Sequence, residues 1–235
     1  MARSAQPRQG APALKPLLRL PLAIGLYAAA LLVPAGDWRW TAAWVYLGVT
    51  VAALAGYALV VIFLQPGLIA ERTKPPETAK RWDRPLAAIV GFLGPLVTLV
   101  LAGLDHRHGW SVPIPTAIRG FGCVLLVSGC ALANFAVARN PFFSAVVRIQ
   151  SERGHRVVDS GPYAFVRHPG YLASLITYLG GPLLLGTSWA FVPSAIVGAL
   201  VIIRTGIEDR TLRRELDGYA RYAQRVRSRL IPGVW

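Results

Sequence analysis

The sequence predicts an all-α fold: a polytopic transmembrane bundle of about six apolar segments, the last two a short helical hairpin, with an amphipathic cytoplasmic helix at the C-terminus. Three observations predict it. Hydrophobic residues make up 54% of the 235 residues and charged residues only 15%, whereas a soluble domain carries about a quarter charged residues. The apolar residues are gathered into uncharged runs at 20–33, 41–64, 86–104 and 120–138, near the roughly 20 residues a helix needs to cross a ~30 Å hydrocarbon core. The basic residues then alternate between rich and poor connections.

That alternation fixes the topology. The net charge is +14, which in a soluble protein would raise nucleic acid as a partner. Here Arg3, Arg8, Lys15 and Arg19 precede the first run, and Arg39 alone follows it. Arg72, Lys74, Lys80, Arg81 and Arg84 follow the second run, and over 105–115, after the third, Arg107 stands alone. Arg139, Arg148, Arg153, Arg156 and Arg167 follow the fourth, and the tail from Arg204 is again rich. Lys and Arg concentrate on the cytoplasmic side of membrane proteins. An even number of crossings is expected, with both termini cytoplasmic and the lipid bilayer, not nucleic acid, as partner.

Taken in order, residues 1–16 are rich in Pro, Arg and Ala and are expected to be a disordered arm. Residues 17–138 are expected to hold four transmembrane helices as two hairpins, the first run being retained rather than cleaved. Cys123 and Cys130 fall inside the fourth run and read as packing residues. Residues 139–169 form a polar connection of a length that is usually functional or disordered. It contains Asn140, Gln150, His155, Asp159, Tyr163 and His168, which argues for function. The apolar stretch 171–203 is too long for one crossing and short for two. Gly186-Thr187-Ser188 divides it into arms of about 15 residues, each spanning only ~23 Å, with a kink expected at Gly180-Gly181-Pro182. A hairpin returns to its starting face, so Arg167-His168-Pro169 and 204–209 become neighbours. Over 207–230, Leu212, Leu216, Tyr219, Ala223, Val226 and Leu230 share one face of a helix, which suits either a membrane surface or the flank of the bundle.

The strongest local signal is Gly161-Pro162-Tyr163-Ala164-Phe165-Val166-Arg167-His168-Pro169-Gly170-Tyr171, leading into an apolar helix. Alone it has an ordinary structural explanation: Gly-Pro and His-Pro are turn dipeptides, proline starts helices, and tyrosine belongs at a membrane interface. Arg204-Thr205-Gly206-Ile207-Glu208-Asp209, brought opposite by the hairpin, shifts the balance, because ionisable residues at the end of a membrane segment are candidate sites.

Together the two stretches resemble the isoprenylcysteine carboxyl methyltransferase family, within the wider group of integral-membrane methyltransferases that includes phospholipid methyltransferases. The carriers are GPY-x3-RHP-x-Y from Gly161 to Tyr171, R-x3-E at Arg204 and Glu208, Gly218-Tyr219-x2-Tyr222-x3-Val226, and Arg229-Leu230-Ile231-Pro232. The resemblance covers 150–235 and is looser upstream, in Arg81-Trp82-Asp83 and Asn140-Pro141-Phe142-Phe143-Ser144. It implies that 139–235 is a catalytic region with a cytoplasmic pocket for S-adenosyl-L-methionine. Gln150, His155, Val157, Val158, Tyr163, His168, Pro169, Gly170 and Tyr171 would bind that cofactor, Glu208 would close the pocket, and Arg204 would contact an acceptor carboxylate. Asp209 stands where the family often has a second glutamate, and the interval from Gln150 to His155 is shorter than in eukaryotic relatives.

These residue types suit the chemistry. In-line methyl transfer chiefly demands proximity and alignment. A carboxylate acceptor is already ionised near neutrality and needs a cation to orient it, for which arginine offers planar two-point recognition. An amine acceptor would need a base, with His168 or Glu208 available. No metal is expected, and His106-x-His108 reads as two solvated histidines on an outer loop. The acceptor is expected to be lipophilic, an isoprenylcysteine-like carboxylate or another isoprenoid or lipid, arriving through the membrane. Two other readings are a nicotinamide-dependent membrane reductase of sterol or enone type, since RHP-x-Y also occurs in membrane sterol reductases, and a transporter or non-catalytic membrane partner.

Overall fold

The computed structural model describes residues 19–71 and 79–235, in which all regular structure is helical. The expectations for the arm 1–16 and for Arg72 and Lys74 lie outside the described residues. Six apolar helices form the bundle: α1 (Arg19–Ala35), α2 (Thr41–Leu64), α4 (Asp83–His108), α5 (Thr116–Arg139), α6 (Pro169–Leu185) and α7 (Phe191–Glu215). The short helices α3 (Gly67–Glu71) and α8 (Tyr219–Arg225) lie outside it. Four of the six, α2, α4, α5 and α7, are long and apolar enough to cross a membrane. Their outer surfaces confirm that solvent: Phe63, Phe92, Phe121, Val124 and Ile196 are exposed, while Asp83, Asp105 and Asp209 are buried. That distribution inverts the one a water-soluble bundle would show. The protein is an integral membrane protein.

Close packing of α5 against α6 sets the centre of the bundle. Gly122, Gly129 and Gly180 allow it: a Cβ on Gly129 would stand 2.7 Å from Thr177 Cγ2, and one on Gly180 only 2.6 Å from the Leu126 amide nitrogen. Small residues let membrane helices approach in this way, where van der Waals packing rather than water exclusion drives association. Gly103 does the same for α4 against α1.

At the end of the bundle remote from the candidate site, Asp105 ties two connections to the end of α4. Its carboxylate accepts the Ser111 amide at 2.8 Å, the Ser111 hydroxyl at 2.5 Å and the Trp189 amide at 3.2 Å. His106 and His108 lie on the last turn of α4 rather than on a loop. Instead of being simply solvated, His106 stacks on Trp40 at 4.0 Å and pairs with Asp37 at 3.0 Å, while His108 stacks on Trp110.

The last hairpin is asymmetric rather than two equal arms. α6 has 17 residues and α7 has 25, and α6 runs through Pro182 without a break. α7 therefore carries Arg204, Glu208 and Asp209 within one continuous helix and ends at Glu215. The expected single helix over 207–230 is in fact two, because Gly218 takes a left-handed φ of +81° between α7 and α8. Its apolar stripe faces protein, not lipid: Leu216, Tyr219, Tyr222, Ala223 and Val226 are buried against Ile149 and Val157 of the long connection.

Candidate functional site

Three segments converge where α6 begins and α7 ends. The connection 139–168 follows α5, contains two 3₁₀ turns (Ser151–Arg153 and Gly161–Ala164) and enters α6 through Pro169 at the first helical position. The missing proline N–H is unneeded there. The C-terminal segment 226–235 lies beside it, with the Arg167 amide donating to Ser228 O and the His168 amide to Arg229 O, both at 3.0 Å.

Asp209 is the knot. Fully buried on α7, it receives Arg167 Nε at 2.7 Å and Nη2 at 3.2 Å, Arg213 Nε at 3.0 Å, Arg229 Nε at 3.1 Å and the Tyr219 hydroxyl at 3.0 Å. His168 Nε2 lies 3.4 Å from the same carboxylate and 3.3 Å from the Tyr219 hydroxyl. Arg167 also donates through Nη1 to the carbonyls of Val226 and Arg227. One carboxylate thus holds α6, α7, α8 and the C-terminal segment together.

Asp83, at the start of α4, plays the same part on the other side. Arg204 donates Nε to Asp83 Oδ1 at 2.6 Å and Nη2 to Oδ2 at 2.9 Å, and Asp83 also accepts the Val147 amide at 2.6 Å. Arg204 Nη2 further donates to Ala145 O at 2.8 Å, and the guanidinium lies over the Tyr171 ring. The planar fork expected to grip an acceptor carboxylate is therefore occupied by a carboxylate of the protein itself. Nη1 is the one guanidinium nitrogen outside that pair, so Arg204 as placed offers one-point rather than two-point contact.

Between these two knots lies a cavity of about 610 Å³, within the ~300–1,000 Å³ typical of small-molecule sites. Its lining includes His155, Val157, Val158, Tyr163, His168, Pro169, Gly170, Tyr171, Arg204 and Glu208. The structure therefore brings together every residue given a cofactor or acceptor role in the sequence except Gln150. That side chain is wholly buried behind the wall: its amide donates to Phe142 O at 2.7 Å and its Oε1 accepts Arg153 Nη1 at 2.5 Å. It holds the Phe142 loop and does not face the cavity, because both ends of its amide are bound within the connection.

Glu208 lines the cavity and accepts the Tyr171 hydroxyl on Oε2 at 2.5 Å. The lining also includes Phe142, Phe143, Val157, Leu212 and Leu216, with Ala87, Val90 and Gly91 of α4. Asn140 donates to the Tyr163 hydroxyl at 3.1 Å, and Tyr222 donates to Tyr163 O at 2.7 Å. Burial pushes the Tyr163 phenol above its ordinary value, and burial followed by the charge of Asp209 does the same to Tyr219; both remain protonated donors. Ala87, Val90 and Gly91 of α4 were not singled out in the sequence, whereas Asn140, Tyr222 and Asp83 appeared there, Asn140 among the polar residues of the connection and all three within the resemblance, without a site role.

His155 rests on the Phe142 ring at 4.6 Å, and its Nδ1 accepts the Gln150 amide at 3.3 Å. Burial, then the charges of Arg153 and Arg148, hold its pKa below the usual 6.5. A histidine depressed on folding binds fewer protons than in the unfolded chain, so its linkage costs stability as pH falls below ~6.5 toward the folded value. Lowering the pH from 7.5 to 5.5 should lower the unfolding midpoint of the purified protein, and His155→Gln should lose a smaller part of it. Equal acid sensitivity of the two would show that His155 is not the responsible group.

Comparison with known proteins now adds to this geometry. Residues 122–214 match the model of the "Isoprenylcysteine carboxyl methyltransferase (ICMT) family". The chain is 27% identical over 146 residues to protein-S-isoprenylcysteine O-methyltransferase B of Arabidopsis thaliana, covering 61% of this chain and 71% of the relative. It is 27% identical over 139 residues to the lamin-B receptor of Drosophila melanogaster, covering 54% of this chain but 18% of that protein. A probable protein-S-isoprenylcysteine O-methyltransferase of Oryza sativa subsp. indica is 30% identical over 112 residues, 46% of this chain and 59% of the relative. The matched span begins within α5 and ends within α7, and so encloses the connection, the hairpin and Glu208.

Proposed function

We propose that this chain, a member of the isoprenylcysteine carboxyl methyltransferase family by its residues 122–214, is an S-adenosylmethionine-dependent carboxyl O-methyltransferase acting on a lipophilic acceptor at the cytoplasmic membrane face. One observation carries the reading. The two motif stretches, separated by the whole of the last hairpin, meet at a single cavity whose wall joins Tyr171 to Glu208.

The residues fit the cofactor. S-adenosylmethionine is cationic at sulfur and at its amine, and Glu208 is the carboxylate that lines the cavity without being enclosed by arginines. Tyr171 fixes one of its oxygens. Phe142, Phe143, Val157 and Val158 supply an apolar wall suited to an adenine ring. When bound, the cofactor supplies a methyl group on a positively charged sulfur. The protein's own contribution is placement and exclusion of water, since a carboxylate acceptor needs no base. Arg204, locked by Asp83 and stacked on Tyr171, directs Nη1 as a single orienting donor for that carboxylate. His168, bound to Asp209 and Tyr219, acts by position, keeping the start of α6 against α7. Residues 139–235 thus form the catalytic region, completed by the opening turns of α4.

Family relatives named for isoprenylcysteine make a prenylated cysteine the first acceptor to try. Membranes containing the protein, given methyl-labelled S-adenosylmethionine and a farnesylated N-acetylcysteine, should form a base-labile methyl ester. The Glu208→Ala variant should lower the yield by about a hundredfold. Absence of ester alongside consumption of a nicotinamide dinucleotide with an unsaturated lipid would replace this reading with the reductase one.

A further inference from the structure

A second cavity, of about 240 Å³, lies inside the bundle among α1, α2, α4, α5, α6 and α7. It abuts the larger one, with Ser174 lining both. Its wall is unusual for the interior of a membrane bundle. Leucine, alanine and proline alternate with hydroxyls from three tyrosines (Tyr27, Tyr46 and Tyr178) and from threonines and serines, and no Lys, Arg, His, Asp or Glu lines it.

Most of these hydroxyls are already engaged. Thr50 donates to Tyr46 O, Thr98 to Gly94 O, Thr177 to Ser174 O and Tyr178 to Val90 O, at 2.6–2.9 Å. Ser194 is different. It lies in the first turn of α7, is only 4% exposed, and its buried Oγ has no hydrogen-bond partner among the described residues. Serine and threonine inside helices ordinarily bond back to the preceding turn, as Thr205 does to Val201 O at 2.7 Å on the same helix. A buried polar group left without a partner is costly in a low-dielectric interior, and this one lines a cavity.

We propose that the second cavity is a binding chamber for a neutral amphiphile, a short apolar chain bearing one hydroxyl or carbonyl oxygen that hydrogen-bonds Ser194. The aliphatic wall selects the chain, and the absence of ionisable partners among the lining residues rejects a charged head group. At roughly 30 Å³ for each group the size of a water molecule, the chamber takes about eight such groups. A pure hydrocarbon of that length would fill the space but leave the Ser194 hydroxyl unpaired.

The test uses the detergent-purified full chain without any methyl donor, so its outcome does not depend on the methyltransferase reading. A photoreactive diazirine derivative of 1-octanol is cross-linked to the protein and the labelled peptides are mapped. Labelling is expected on α2, α6 or α7 at this chamber, displaced by 1-octanol at least tenfold more effectively than by n-octane. Ser194→Ala should bring the two competitors within about threefold of each other. Cys130→Phe, or Leu54→Phe should the first not fold, should fill the chamber and abolish labelling with an unchanged unfolding midpoint. Labelling confined to the larger cavity, equal competition by octane in the wild type, or an undiminished alcohol preference in Ser194→Ala would each overturn the proposal. Unsaturable labelling would do so too, leaving the chamber to water. Displacement of the label by a farnesylated cysteine would identify the oxygen-bearing occupant as part of the acceptor, and its persistence would identify a separate membrane lipid.

Discussion

Replacing Asp209 by asparagine will destabilise the site end of the protein by about 3–5 kcal/mol, the usual cost of removing one partner from a buried ion pair. The size follows from Arg167, whose side chain is only 1% exposed against Asp209. With the carboxylate neutral, that guanidinium has no route to water, and its remaining acceptors are the carbonyls of Val226 and Arg227. Arg213 and Arg229 are 41% and 27% exposed and can turn outward, so they contribute little to the loss. The predicted signature is local: proteolysis should release α8 and the C-terminal segment, which Asp209 holds through Tyr219 and Arg229, before the bundle opens. Arg167→Met combined with Asp209→Leu should be less damaging than Asp209→Asn alone, because the double change leaves no buried charge. A double variant worse than the single one would mean that the hydrogen bonds of Arg167 to the C-terminal segment, not charge balance, hold this region.

The second large effect falls on binding. Glu208→Gln keeps the shape and the contact with Tyr171 but removes the charge that faces the cavity. Hydrogen bonds to charged groups are worth about 1.5–3 kcal/mol, so affinity for S-adenosylmethionine should fall by about tenfold to a hundredfold. Tyr171→Phe, which removes only the group that orients Glu208, should cost less. If Tyr171→Phe weakened binding more than Glu208→Gln, the Tyr171 hydroxyl rather than the Glu208 charge would be the main contribution.

How much of this was legible in the sequence can be traced through particular residues. The hairpin, and with it the approach of Arg167-His168-Pro169 to 204–209, followed from run lengths alone, because a chain that crosses and returns has only one face on which to end. The two aspartate knots were not legible. Asp83 and Arg204 are 121 positions apart, and neither periodicity nor composition pairs single charges over such a distance. Arg204 consequently looked like a free cation. Gln150 misled for a related reason: an amide that donates and accepts suits a ligand and a loop equally well, and only placement shows that Phe142 and Arg153 satisfy it. The break before α8 was hidden by an apolar stripe that keeps its rhythm across Asp217-Gly218, although that turn dipeptide was in plain view.

Equilibrium binding of S-adenosylmethionine to the detergent-purified wild type, beside His168→Ala and Glu208→Ala, tests the central claim most directly. Micromolar binding in the wild type, weakened about tenfold or more in both variants while each remains folded, is the predicted result. Failure of the well-folded wild type to bind, above all if it binds a nicotinamide dinucleotide instead, would contradict it.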